Sequence, residues 1–192
     1  MSGVLARALW ARGVFPHRFA WLLHVRARRL IISPERLADR LALRVTDRVL
    51  EVGAGSGYFS VELARRIPEG WLHLVDVQPD MLYKARRRID DNGLRNVHYI
   101  VADAGAGLPH GKETADVAVL VSVLGEVADQ DGALSSLHRV LKPAGVLAIH
   151  ESLPDPDRLP LDELVRTVTP HGFALLRYTG VRLNYTALFR RL

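Results

Sequence analysis

The chain contains no cysteine in its 192 residues. Disulfide staples, zinc thiolates and a cysteine nucleophile are therefore excluded, and a reducing, cytoplasmic location is expected. Aromatic residues are sparse at 7%, and methionine occurs only twice. No apolar run approaches the ~18 residues needed to cross a bilayer. The longest early run, Phe19–Val25, is broken by His24 and flanked by arginines, which is not the pattern of a secretory leader. GxxxxGK[ST], which would cradle a nucleoside triphosphate, is missing, and so is the zinc-binding HExxH. No internal repeat or low-complexity tract is present. The length suits one domain with a sizeable core.

Positive charge is present but uneven. Residues 1–48 hold ten arginines against Glu35, Asp39 and Asp47, a net +7, while the whole chain is only +5. Phe19, Leu23, Ala27, Leu30 and Ile31 fit one helical face, with Arg18, Arg26 and Arg29 beside it. Ser33-Pro34 reads as the cap and first turn of a second helix. Residues 1–45 are thus expected to form a basic helical segment, open to a role as a lid or as a peripheral contact with an anionic membrane. Residues 46–192 are expected to form the core.

The core is organised around Val49–Gly57, VLEVGAGSG. Val49, Leu50 and Val52 read as a short buried strand. A loop of small residues follows, with Gly53, Gly55 and Gly57, and then a helical pattern. A strand, a glycine loop and a helix in that order place a nucleotide-like ligand at the strand's carboxyl end. The spacing is GxGxG, and Tyr58 stands where a dinucleotide fingerprint requires Gly or Ala. Glu51, at the strand's end, would repel a pyrophosphate and attract an ammonium group.

Strand and helix then alternate. Trp71–Val77 reads as the second strand. Asp76, nineteen residues after Gly57, is placed to accept from a ribose diol. Gln78-Pro79-Asp80 opens a helix with Met81, Leu82, Ala85 and Ile89 facing inward, and Asn92-Gly93 stops it. Val97–Ala102 is the third strand, ending at Asp103-Ala104, and a Gly- and Pro-containing loop follows. Asp116–Val123 is a nearly continuous apolar run, read as a strand buried on both faces, with Ser122 at its end and Glu126 just beyond. A helix over Asp129–Leu141 is stopped by Lys142-Pro143-Ala144-Gly145. Val146–Ile149 forms the fifth strand, with His150 and Glu151 at its tip. After a proline-rich loop and a helix at Leu161–Val168, Phe173–Tyr178 and Arg182–Phe189 read as a final antiparallel pair. The expected fold is α/β: a Rossmann-like, doubly wound sheet of seven strands, mostly parallel with an antiparallel C-terminal strand.

Four ordered features, Glu51–Gly57, Asp76, Asp103 and LKPAGVLAIHE over Leu141–Glu151, resemble those of the class I S-adenosylmethionine (SAM)-dependent methyltransferases. The resemblance is strongest to the methyltransferase-domain grouping that includes the ubiquinone/menaquinone type. Ala144 is a conservative departure from the family's LKPGG. The resemblance implies SAM as cofactor, held by Glu51, Gly53, Gly55, Gly57, Asp76, Val77, Asp103, Ala104 and Ser122. It implies Asp103 and Ala104 at the adenine, and a small-molecule or lipid-like acceptor beside Glu126 and His150, the candidate catalytic groups. Nucleic acid is disfavoured as acceptor: [DNS]PP[YF] is missing after the fourth strand, and C5-methylation needs a cysteine. No acidic cluster of the metal-dependent catechol type is evident, so no metal is expected. A non-catalytic subunit with the same fold and, more distantly, an NAD(P) oxidoreductase are the competing readings.

Overall fold

The computed structural model describes residues 32–153 and 155–192. The expected amphipathic face at Phe19–Ile31 lies outside the described residues. Within them, Pro34–Leu192 forms one compact unit.

The elements follow the alternation read from the sequence. Helix α1 (Pro34–Leu41) begins at the proline after Ser33, and strand β1 (Arg48–Val52) leads to helix α2 (Ser60–Arg66). Strand β2 (Trp71–Asp76), helix α3 (Pro79–Asp91), β3 (Val97–Val101) and β4 (Ala115–Val121) follow, the β3–β4 connection carrying no helix. A 3-10 turn at Leu124–Glu126 precedes α4 (Gln130–Val140), β5 (Leu141–Ser152), α5 (Leu161–Val168), β6 (Phe173–Val181) and β7 (Asn184–Arg191). Local chemistry sets the ends. Pro79 occupies the first turn of α3, Asp129 caps α4 through Gly132 N, and Gly93 turns the chain after α3 with φ +71°.

The sheet has the order β3-β2-β1-β4-β5-β7-β6. Strands β1 to β5 are mutually parallel, and β7 runs antiparallel to both β5 and β6. This is the expected seven-stranded sheet. One detail differs from the sequence expectation. Lys142–Gly145 was expected to separate helix from strand, but Leu141 already pairs with Ala115, and the register shifts before Val146 meets Val117. Those four residues form a bulge inside β5, held by Lys142 Nζ on Asp116 at 2.6 Å.

Alternation along the strands divides the core in two. Leu50, Val52, Leu120, Ile149, Ala187 and Phe189 pack with Leu134, Leu137 and Leu164 of α4 and α5. The opposite face carries Val49, Leu72, Leu74, Val119 and Ala148, all at most 1% exposed, beside buried Leu37, Leu63, Leu82 and Ala85 of α1 to α3. Burial of each such aliphatic side chain contributes about 1.5–3 kcal/mol. Because the first five strands are parallel, their carboxyl ends share one edge, where an open sheet of this kind binds ligands.

Candidate active site

The predicted residues gather along that edge. Glu51 is 2% exposed, at the end of β1. Its Oε2 accepts from Ser60 Oγ at 2.6 Å, which ties the strand end to the first residue of α2 across the glycine loop. Gly53, Gly55 and Gly57 have φ of +69°, +55° and +73°, so this turn requires residues free to adopt left-handed geometry. A Cβ on Gly53 would lie 2.3 Å from Val123 Cγ2, and one on Gly57 3.0 Å from the backbone of Ala85. Gly53 therefore lets the loop seat against the end of β4, and Gly57 lets it seat against α3.

The loop's own N–H groups are largely engaged. Gly53 and Ala54 donate to Val75 O at 2.8 and 3.3 Å, and Gly57 donates to Ala54 O. Gly55 N donates to Asp76 Oδ2 at 2.8 Å, and Gln78 N donates to Asp76 Oδ1 at 2.9 Å. A phosphate-binding loop presents such donors outward to the anion. Here they hold the loop and the β2 turn together, leaving a rigid floor beside a buried carboxylate. This suits a ligand without phosphates, carrying a ribose and an ammonium group, as SAM does. Asp76 is 8% exposed and retains lone pairs beyond the two it offers the backbone. Val77, just past it, is exposed.

Beyond β3, Asp103 accepts from Gly105 N at 2.8 Å, and Ala104 is buried. At the end of β4, buried Ser122 has φ +52° and donates its N–H to His150 O at 2.8 Å. That backbone conformation is uncommon for a residue with a Cβ, and its position between two strand tips is where strain tends to mark function.

The two candidate catalytic side chains lie apart. His150 points to the α1 face, where its Nδ1 is 2.9 Å from Thr186 Oγ1. Arg40 of α1 donates to the same hydroxyl at 2.9 Å. Burial, and then the nearby Arg40 charge, pushes His150 down to about 4. It is neutral at pH 7, and its Nε2 is buried without a partner. Glu126 ends the 3-10 turn and is exposed. Glu151, one residue past His150, points to the other face and is 1% exposed. Burial, then the charge of Asp155, pushes its carboxyl up to about 8. Tyr185 belongs to the scaffold: its hydroxyl donates to Leu159 O at 2.6 Å.

Two features escaped the sequence reading. Asp155 and Asp157 reach Glu126, although Asp-Pro-Asp in a proline-rich stretch reads only as a turn. A hollow of about 640 Å³ lined by His73, Arg86, Val97, His98, Tyr99 and Ile100 lies at the β2–β3 edge, and none of the predicted site residues lines it.

Comparison with known proteins agrees with this fold. The methyltransferase-domain family matches residues 43–169. The ubiquinone/menaquinone biosynthesis C-methyltransferase UbiE of Vibrio campbellii is 35% identical over 144 residues, 74% of this chain and 54% of that protein. UbiE of Pasteurella multocida is 36% identical over 157 residues, 80% of this chain and 57% of that protein. The chain thus spans little more than half the length of these relatives. Among solved structures, a SAM-dependent methyltransferase from Aquifex aeolicus superposes with TM-score 0.77 at 22% identity, covering 84% of this chain and 91% of that one. The [4+2]-cyclase SpnF superposes with TM-score 0.70 at 20% identity, covering 82% and 79%. These two likenesses are of fold. With the family match running from the strand before the glycine loop to the helix after β5, the chain belongs to the methyltransferase-domain family, and its cofactor is S-adenosylmethionine.

Proposed function

We propose that this protein transfers the methyl group of SAM to a small, lipid-like acceptor of the quinone-precursor class. The observation that carries the cofactor half is the glycine loop with its N–H groups engaged by Val75 O and Asp76, beside buried acids suited to a ribose and an ammonium group. Two things support the acceptor half. The relatives are named for ubiquinone and menaquinone biosynthesis. In addition, Leu153, Val181 and Leu183 are 44%, 69% and 49% exposed, and Leu153 N donates to Leu183 O at 3.0 Å. These side chains form an apolar rim beside the tip of β5, fit to meet a prenyl chain.

In this reading each residue has a role of position. Glu51, fixed by Ser60, faces the amino group directly or through water. Asp76 receives the ribose diol with Val77 beside it, and Asp103 and the Ala104 backbone meet the adenine edge. Ser122 shapes the point of transfer. SAM supplies an electrophilic methyl, so the chain's main task is in-line alignment. His150, neutral at pH 7 and buried against α1, shapes the floor of the pocket, and Glu126, exposed beyond the end of β4, orients the acceptor or takes its proton.

Calorimetric titration of the purified chain with SAM, its demethylated product and NADH tests the cofactor. Micromolar binding of the two sulfur ligands, none of NADH, and loss in Gly55→Val are expected. Failure of both sulfur ligands would overturn the proposal. Radiolabelled methyl transfer to a short-chain prenylated hydroquinone then tests the acceptor. No transfer despite SAM binding would favour a non-catalytic subunit or another acceptor.

A further inference from the structure

Exposed apolar side chains are concentrated in one part of the described surface. Six of the eleven large apolar residues exposed among the described residues are Leu153, Leu175, Leu176, Tyr178, Val181 and Leu183. Scattered singly, such side chains would need no account, but gathered together they mark an interaction surface. Five of them belong to the last strand pair and its turn, and Leu153 is tied to that turn through Leu183 O. Strand β6 ends the sheet and is exposed over most of its length. Ser152 pairs with Asn184, so the β6–β7 turn stands at the carboxyl edge of the parallel strands.

Charge says what this surface meets. Residues 164–192 hold five arginines and neither Asp nor Glu, a net +5 that equals the charge of the whole chain. Arg177 on β6 and Arg182 in the turn are exposed, and among the described residues no ion pair ends on either. Arg158 Nη1 donates to Arg182 O at 3.3 Å, which brings a third guanidinium to the turn. The acids of the neighbouring connection, Asp155 and Asp157, converge on Glu126 instead, and Asp162 and Glu163 lie in the first turn of α5. A second copy of the chain fits this surface badly. A two-fold contact would set the arginines against themselves. The register of β6 also shifts between Leu175 and Arg177, an irregularity that blunts a sheet edge against further strands. Apolar side chains interleaved with arginines suit an anionic bilayer: the guanidinium groups meet phosphates, while Tyr178 and the aliphatic side chains enter the headgroup layer.

We infer that the β6–β7 hairpin, with its turn Val181-Arg182-Leu183 leading, docks this protein on an anionic lipid bilayer. The contact joins apolar burial to charge attraction, the two signals that together hold a peripheral protein on a membrane. Because the turn shares the carboxyl edge with the ends of β4 and β5, docking there faces the acceptor half of the site toward the bilayer. A lipid-like acceptor would then reach the site from the bilayer surface without crossing bulk water. That last step rests on the proposed function, whereas lipid docking itself does not.

The test is co-sedimentation of the full chain with sucrose-loaded vesicles, with no SAM or acceptor present. Vesicles of phosphatidylcholine containing phosphatidylglycerol should carry the protein down, and high salt should release it. Vesicles of phosphatidylcholine alone should bind at least about tenfold more weakly. The double variant Val181→Glu, Leu183→Glu should lose about tenfold or more in affinity for the anionic vesicles, and Arg182→Gln about fivefold. Val45→Glu, at an equally exposed position before β1, should bind as the wild type does. All the substituted positions are exposed, and circular dichroism melts check that each variant folds. Equal binding to both kinds of vesicle overturns the inference. So does equal affinity in the double variant and in Arg182→Gln, since another part of the chain would then carry the contact. A dimer in sedimentation velocity that the double variant dissolves would assign the turn to a second copy and overturn it as well. SAM titration in the absence of vesicles is independent of all these outcomes, so the two readings fail separately.

Discussion

The carboxyl edge of the sheet has two halves with opposite character. Over β1, β2 and β3 the polar groups have found partners within the chain: Glu51 with Ser60, Asp76 with Gly55 and Gln78, Asp103 with Gly105. Over β4 and β5 two buried atoms have not. His150 Nε2 and Glu151 Oε1, adjacent in sequence and on opposite faces, are both buried without partners, and three acids crowd the space beyond them. A cofactor that is always the same can be met by a preformed surface. The half proposed to meet the acceptor instead carries two buried atoms without partners, each at a cost in stability.

Breaking the settled half should cost stability and cofactor affinity together, the largest combined effect. Asp76→Ala removes the acceptor of two backbone N–H groups that join the glycine loop to the β2 turn. A stability loss of about 2 kcal/mol is expected in urea denaturation, together with a fall in SAM affinity of roughly ten- to hundredfold. If stability falls and SAM binding holds, Asp76 is scaffold only, and the ribose assignment fails.

The unsettled half should reveal itself in pH dependence, with opposite signs at neighbouring residues. His150 is depressed from 6.5 to about 4 in the fold. Its neutral form is favoured there, so its contribution is complete above pH 6.5 and is lost as pH falls toward 4. Glu151 is raised from 4.5 to about 8. Its contribution is complete below pH 4.5 and is lost as pH rises through 8. In EDTA, Glu151→Gln should therefore match the wild type near pH 4.5 and exceed it by a few kcal/mol, on the order of 3, at pH 8. His150→Asn should flatten the acid limb only in part, because His73 is also pushed down to about 4, chiefly by burial. Urea midpoints collected from pH 4 to 8.5 distinguish the two. Equal alkaline slopes in Glu151→Gln and the wild type would mean that the Glu151 carboxyl is already solvated.

What the sequence made legible was what is local. The glycine loop declares itself because strand, turn and helix are consecutive, and period-two alternation places His150 and Glu151 on opposite faces. The missing β3–β4 helix is foreshadowed by the Gly- and Pro-containing stretch after Ala104. What stayed hidden depends on contacts distant in the chain. The depth of His150 comes from α1 and β7, through Arg40 and Thr186. The acid cluster needs Gly125 packed against Asp157, and nothing in either tract signals the other. The partners of the loop N–H groups were equally invisible, since Val75 and Asp76 belong to the next strand.

The smallest effect lies at the opposite edge of the sheet, where no ligand is involved, and it isolates backbone cost from function. Ala144, in the bulge of β5, has φ +61°. Alanine pays about 1 kcal/mol to hold a left-handed conformation, whereas glycine holds it freely but loses more entropy on folding. The net expectation for Ala144→Gly is a gain of about 0.5 kcal/mol in urea denaturation, with SAM affinity unchanged. Ser122 has φ +52° but sits between the tips of β4 and β5. Ser122→Gly should bring a similar gain in stability together with weaker SAM binding, because relief there frees the backbone that shapes the transfer point. If the two substitutions behave alike in both measurements, the strain at Ser122 belongs to the scaffold and not to the site.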